Sequence, residues 1–236
     1  MFKLDFARGL DQGSKLHMLF ESERLHLKLG SVTELTGVDH HLVVPKLSAL
    51  ARGWQGVPGS GNTRYDDWTD YNRALEVAVN AFRIREASHS MRLVNSLVDR
   101  GMDMDFGPRF HRLRTPVARF YAEQERKTEG DFMVLDLEVG QKVPQGKSPE
   151  EAYEHIRGYS GYPLDPIALM CLRYTHSHLS HGIYWFDALG AEVSPKGDGR
   201  FDDAPYLDCR NDEVNADWNW KKRARPFRIA PYARGQ

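Results

Sequence analysis

Four carboxylates, Glu123, Glu125, Asp136 and Glu138, fall within one stretch, Val117 to Val139 (VARFYAEQERKTEGDFMVLDLEV). Apolar and β-branched residues flank Thr128-Glu129-Gly130-Asp131, a pattern that predicts a β-hairpin with Glu129-Gly130 as its loop. That register sets Glu123 opposite Asp136 and Tyr121 opposite Glu138. Alternation with period two then gathers all four carboxylates on one face and Met133, Leu135, Leu137 and Val139 on the core face. Facing like charges destabilise a hairpin, and a divalent cation such as Mg²⁺ or Mn²⁺, which takes oxygen ligands, is one reason to keep them together. The other reading is a wet acidic edge neutralised by Arg119, Arg126 and Lys127.

The elements that must position these residues are read from periodicity. The longest helical signal runs from Tyr71 to about Arg100, with Asp70 as N-cap, Gly101 as stop and a break near residues 87–90. It carries Glu76 and Glu86, solvated surface charges or, for one of them, a further metal ligand reaching the sheet. PRFHRLRTP, residues 108–116, predicts a basic strand bearing Arg109, Arg112 and Arg114. Ser148-Pro149-Glu150-Glu151 is a well-formed helix start: a Ser cap, Pro in the first turn, and acids at the positive dipole end. Ile167–Thr175 is an apolar run that fits a buried strand or a helix. The expected class is α+β or α/β, a central mixed sheet with flanking helices around an α-β-β-β-α-β core.

The segments outside that core are read more coarsely. Residues 14–30 predict a hairpin. Residues 31–52 have a helix-turn-helix flavour, but Pro45 would break the second helix, so a helical turn, a short strand and another helix are expected. Residues 53–71 predict a long loop in which Gly59-Ser60-Gly61-Asn62 lacks the Gly-Lys-Ser/Thr ending of a phosphate loop. Of the histidines, His40 and His41 read as solvent-facing loop. His176, His178 and His181 carry the spacing of a strand metal site or of a polar loop beside the core. Residues 183–193 predict a strand, and 198–217 an acidic loop. The last 19 residues reverse sign, with Lys221, Lys222, Arg223 and Arg225 interleaved among aromatics, a mixture that suits a nucleic-acid backbone and unstacked bases or a tail packed on the acidic segment. Three segments are expected, 1–52, 53–190 and 191–236, forming one compact domain.

Composition bounds the function. With 41% hydrophobic and 28% charged residues and a net charge of -1, the 236-residue chain is an ordinary globular one, and any attraction to nucleic acid must come from local patches. Two cysteines without metal or disulfide spacing, and no run of apolar residues long enough for a signal peptide or a membrane span, make a cytoplasmic protein without a membrane partner the expectation. No feature assigns a protein partner or a homo-oligomer.

A helix followed by three strands, a helix and a strand, with an acid on the second strand and acid-x-residue on the third, resembles the PD-(D/E)XK nuclease-like superfamily. Glu123 stands at the second-strand position, and Asp136-Leu137-Glu138 at the (D/E)-x-K triplet, with Glu138 where Lys is usual. The resemblance covers roughly residues 72–175. It implies a nuclease, a hydrolase of phosphodiester bonds, in which Glu123 and Asp136 hold Mg²⁺ or Mn²⁺, with Glu76 or Glu86 adding a ligand. The metal lowers the pKa of a bound water, and Glu138 orients that water or accepts its proton. Arg109, Arg112, Arg114 and Arg119, with the basic tail, position the DNA or RNA backbone. Two other classes fit the same residues. Glu123-Gln124-Glu125-Arg126-Lys127 matches E-x-E-x-K and resembles the triphosphate tunnel (CYTH-like) metalloenzymes, although too few strands follow. An interaction or immunity-type protein would instead present the acidic face to a basic partner.

Overall fold

The computed structural model describes residues 12–21, 40–53, 68–88, 93–95, 111–140, 143–176, 185–196, 198–208, 214–224 and 228–235. Its helices are α1 Gln12–Glu21, α2 Leu47–Gly53, α3 Trp68–Ser88, α4 Thr115–Lys127, α5 Pro149–Gly158 and α6 Pro166–Thr175. The strands are β1 His41–Pro45, β2 Leu93–Asn95, β3 His111–Leu113, β4 Phe132–Glu138, β5 Gly161–Pro163, β6 Trp185–Asp187, β7 Ala191–Val193, β8 Asp203–Asp208, β9 Val214–Trp220, β10 Arg228–Ile229 and β11 Tyr232–Arg234. The class is α+β, as expected. An antiparallel sheet runs β1-β4-β11-β5, and a mixed sheet runs β10-β6-β8-β7-β3, with β9 added on β8 and β2 parallel to β9. No helix among the described residues is long and apolar enough to cross a membrane.

The expected carboxylate hairpin is a helix followed by a strand. Pro116 lies in the first turn of α4, Arg126 and Lys127 in its last, and Val117, Ala118, Phe120, Tyr121, Gln124 and Glu125 form its buried stripe. Their spacing of three and four is the helical period, and a Pro start with a basic end suits the macrodipole. The turn at Thr128–Asp131 is real, with Gly130 at φ 75°, but it joins α4 to β4. On β4, Met133, Leu135 and Leu137 face the core as expected, while Val139 is only half-buried.

Other segments also differ from their patterns. Residues 14–21 are helix, not the first arm of a hairpin. The helix α3 stops at Ser88, and Leu93 and Val94 belong to β2. Ile167–Thr175 resolves to α6, whose Ile167 to Leu172 are all buried. Because it is covered on every side, the run shows no amphipathic stripe. The predicted acidic loop contains β8 and β9, and the predicted strand 183–193 divides at a turn into β6 and β7. Among the described residues, the order over α3 to α6 is therefore α-β-β-α-β-α-β-α. Of the helical turn, short strand and helix expected over residues 31–52, the strand and the second helix are β1 and α2, and residues 31–39 lie outside the described residues. The helix start at Ser148 holds: its side chain accepts from the Glu151 N–H while the Glu151 carboxylate accepts from the Ser148 N–H.

Three helices meet at a buried carboxylate. Asp165 caps α6, accepting from the Ile167 and Ala168 N–H groups at 3.1 Å each. It also accepts the hydroxyls of Tyr71 on α3 at 2.7 Å and Tyr121 on α4 at 2.9 Å. Two amide side chains hold strand backbone in a similar way. Gln12 donates to the His41 carbonyl at 2.9 Å and accepts from the Val43 N–H at 3.1 Å, covering β1, the edge of its sheet. Asn72 brackets His111 on β3, donating to its carbonyl and accepting from its N–H.

Candidate functional site

The three residues expected to share a metal lie in two places. Glu123 is on the exposed face of α4, paired with Lys127 at 3.0 Å one helical turn away. Glu125 points the other way: buried, it accepts from the Leu47 N–H at 2.7 Å and the Ser48 hydroxyl at 2.7 Å, and so caps α2 across the chain. Asp136 and Glu138 do share the half-exposed face of β4, opposite His41 and Tyr232 respectively. There Glu138 accepts from Arg234 at 2.9 Å. Glu76 is half-buried on α3, where burial pushes its carboxyl above the ordinary value. Glu86 lies in the same helix, but its side chain is outside the described residues. Among the described residues, no group of three or more His, Cys, Asp or Glu side chains is placed to hold a metal ion.

The histidines and the phosphate-loop candidate divide the same way. His40 is exposed as expected, whereas His41 opens β1 and is half-buried. His176 is buried at the end of α6, its Nδ1 2.8 Å from the Thr175 hydroxyl and its Nε2 3.3 Å from the Gln12 amide nitrogen. Residues 59–62, His178, His181, Arg109 and Arg225 lie outside the described residues. Arg119 is exposed on α4.

The remaining basic residues converge. Arg112 and Arg114 alternate along and just past β3, while Lys221, Lys222 and Arg223 form the turn after β9. Both groups meet at Glu192 on β7, directly opposite Arg112 in the β3–β7 ladder. Glu192 accepts from Arg112 at 3.0 Å and from Lys221 at 3.0 Å, and lies 3.6 Å from Arg114. Arg114 presents its two terminal nitrogens to Glu150 in the first turn of α5, at 3.2 and 2.6 Å. The Glu150 N–H is held by the Lys221 carbonyl at 2.9 Å, which ties the basic turn to the start of α5. Aromatic rings lie beneath both guanidiniums, Phe201 4.0 Å from that of Arg112 and Tyr153 3.9 Å from that of Arg114. The basic turn thus packs on an acid that the tail pattern did not name. The last residues also supply β10 and β11, and β11 lies between β4 and β5.

Charge decides protonation here. Hydrogen bonding from Arg114, against burial, holds the Glu150 carboxyl below its usual value, with Lys221 and Lys222 adding to the effect. Burial pushes Glu192 up, but Arg114, Lys221 and Arg112 outweigh it and keep that carboxyl low. Burial pulls Arg114 down, and its hydrogen bonds to Glu150 together with Glu192 raise it above the ordinary value. Three cationic side chains, those of Arg112, Arg114 and Lys221, thus contact the two carboxylates. Arg112 is half-exposed, and Lys222 and Arg223 face solvent. A planar guanidinium fork matches carboxylate and phosphate alike, so the corner presents donors of the kind an oxyanion can accept. Sequence reading named the cations but missed Glu150 and Glu192, because their contacts depend on β3–β7 pairing and on the packing of α5. Comparisons with protein-family models, curated proteins and solved structures gave no match.

Proposed function

We propose that this chain binds nucleic acid through its phosphate backbone, at the corner formed by β3, the turn after β9 and the start of α5. The observation that carries this reading is the convergence of two basic segments, far apart in sequence, on Glu192. Lys222 and Arg223 are exposed beside that anchor. Phosphate contacts release counterions, so affinity should fall with salt in proportion to the contacts made. The test is fluorescence anisotropy with a labelled oligothymidylate over a salt series. Replacing Lys222 and Arg223 together by alanine should lower the slope of log Kd against log salt by roughly 0.7 for each phosphate that the variant no longer neutralises. Salt-independent binding, or none at low salt, would sink the reading.

A second reading keeps some support from Asp136 and Glu138, which share one face of β4. A Mg²⁺-dependent nuclease centred there would take its remaining ligands from water and substrate phosphate. Incubating the same oligonucleotide with protein and Mg²⁺ or Mn²⁺ separates the two: cleavage abolished in Asp136→Asn supports the nuclease, and binding with an intact product supports the binding protein.

A further inference from the structure

The two carboxylates at the basic corner are not equivalent. Glu192 has a side chain only 9% exposed and gathers Arg112, Arg114 and Lys221 around it. Glu150 is 33% exposed and, among the described residues, makes its side-chain hydrogen bonds to Arg114 alone. Glu150 also has no capping duty. The helix α5 is capped by Ser148 and Glu151, and the Glu150 N–H is satisfied by the Lys221 carbonyl. Its carboxylate can therefore swing outward without unpairing the helix start. Arg114 would keep its place, with the Tyr153 ring 3.9 Å below the guanidinium and Glu192 3.6 Å away. The guanidinium would then be a buried fork short of one partner, a costly state unless another anion replaces the one that left. A phosphate offers the fork the same pair of oxygens, and it would arrive where Lys221 and Lys222 already act on Glu150. One N–H of Arg114, at Nε, has no hydrogen-bond partner among the described residues.

Resting on the nucleic-acid reading above, we propose that Glu150 is a built-in occupant of the Arg114 fork, displaced when a backbone phosphate binds. Arg114 is then the residue that grips the phosphate, and Glu150 sets how tightly the chain holds nucleic acid by competing for the same donors.

The experiment measures the affinity of labelled oligothymidylate for wild type, Glu150→Gln, Glu150→Asp, Arg114→Lys and the Arg114→Lys/Glu150→Gln double variant. Fold is checked for each by circular dichroism melting. Glu150→Gln should tighten binding roughly tenfold, the scale of one charge-assisted pair. Glu150→Asp keeps the charge but is one methylene too short for both fork contacts, and should tighten it less. Arg114→Lys should weaken binding, and in that background Glu150→Gln should have little further effect, because the two act through one contact. If Arg114→Lys does not fold, the graded order of Gln, Asp and wild type decides alone. Equal affinity in wild type and Glu150→Gln overturns the exchange while leaving the nucleic-acid reading in place. Equal tightening by Glu150→Gln in the wild-type and Arg114→Lys backgrounds reduces the effect to long-range charge and also overturns it. Failure of wild type and Glu150→Gln alike to bind at low salt overturns the reading and the exchange together.

Discussion

Asp165 and Glu150 both receive hydrogen bonds from side chains brought in from other elements, yet they are built for opposite ends. Asp165 is fully buried and takes four donors, all neutral: two tyrosine hydroxyls and two backbone N–H groups. Nothing around it is in surplus, and α3, α4 and α6 are joined through it. Glu150 lies at an open corner where cations outnumber acids, and its main partner has a second carboxylate in reserve. A closed, neutral network fixes a fold. An open, charged one can exchange its partner for a ligand.

Stability separates the two most widely. Asp165→Ala leaves two hydroxyls and two N–H groups buried without their acceptor, and should cost about 3–5 kcal/mol, since each buried polar group left unsatisfied costs about 1–3 kcal/mol. Glu150→Gln keeps the shape and one acceptor at a partly exposed pair, and should cost about 1 kcal/mol or less. Urea denaturation of both variants gives the ratio. A Glu150→Gln cost as large as that of Asp165→Ala would make Glu150 a structural element and remove the basis for displacement.

Acid titration sharpens the contrast, because the two carboxyl groups are shifted in opposite directions. Burial outweighs the hydrogen bonds at Asp165 and raises its carboxyl above 3.8, so its contribution is present below the unfolded value and lost as pH rises through the folded one. Glu150 and Glu192 are held below 4.5, so theirs is present above that value and lost as pH falls. His111, fully buried, is pushed by desolvation from 6.5 to about 3, and its contribution also disappears as pH falls across that range. Wild type should therefore lose stability steadily below about pH 6.5. In the arm below 4.5, Glu150→Gln should flatten the loss and Asp165→Asn should steepen it. Parallel pH curves for the two variants would show that the carboxylates titrate alike and remove the distinction.

The two networks also mark what the sequence could and could not disclose. Ser148-Pro149-Glu150-Glu151 was legible as a helix start because capping is local chemistry. Asp165-Pro166 carries the same kind of signal and would have assigned Ile167–Thr175 to a helix. The central stretch misled because Tyr121, Glu123 and Glu125 alternate, while Val117, Phe120, Tyr121 and Gln124 follow the helical period. The absence of β-branched residues between Val117 and Thr128, with Pro116 ahead, favours the helix. Once α4 is a helix, the register that paired Glu123 with Asp136 no longer exists. At the basic corner, the cations were legible as two separate charged runs. Their meeting was not, since it depends on Glu192 lying opposite Arg112 and on Lys221 holding the Glu150 N–H, contacts between residues far apart in the chain.

The smallest effect belongs to Glu123, the first carboxylate of the expected metal-binding face. It sits on the solvent side of α4 with a side chain 57% exposed, and its 3.0 Å pair with Lys127 is an i,i+4 surface contact. Such pairs contribute about 0.5 kcal/mol or less and are screened by salt. Glu123→Gln should therefore shift stability by no more than that amount, leave oligonucleotide affinity unchanged, and leave the melting temperature equally indifferent to Mg²⁺ or Mn²⁺. A metal ligand would behave otherwise, since an ion that binds only the folded arrangement stabilises it by mass action, and removing one ligand removes that gain. A metal-dependent rise in melting temperature in wild type that vanishes in both Glu123→Gln and Asp136→Asn would bring the two carboxylates to one ion. It would require α4 and β4 to leave the arrangement in which Glu123 turns to Lys127 and Asp136 lies opposite His41.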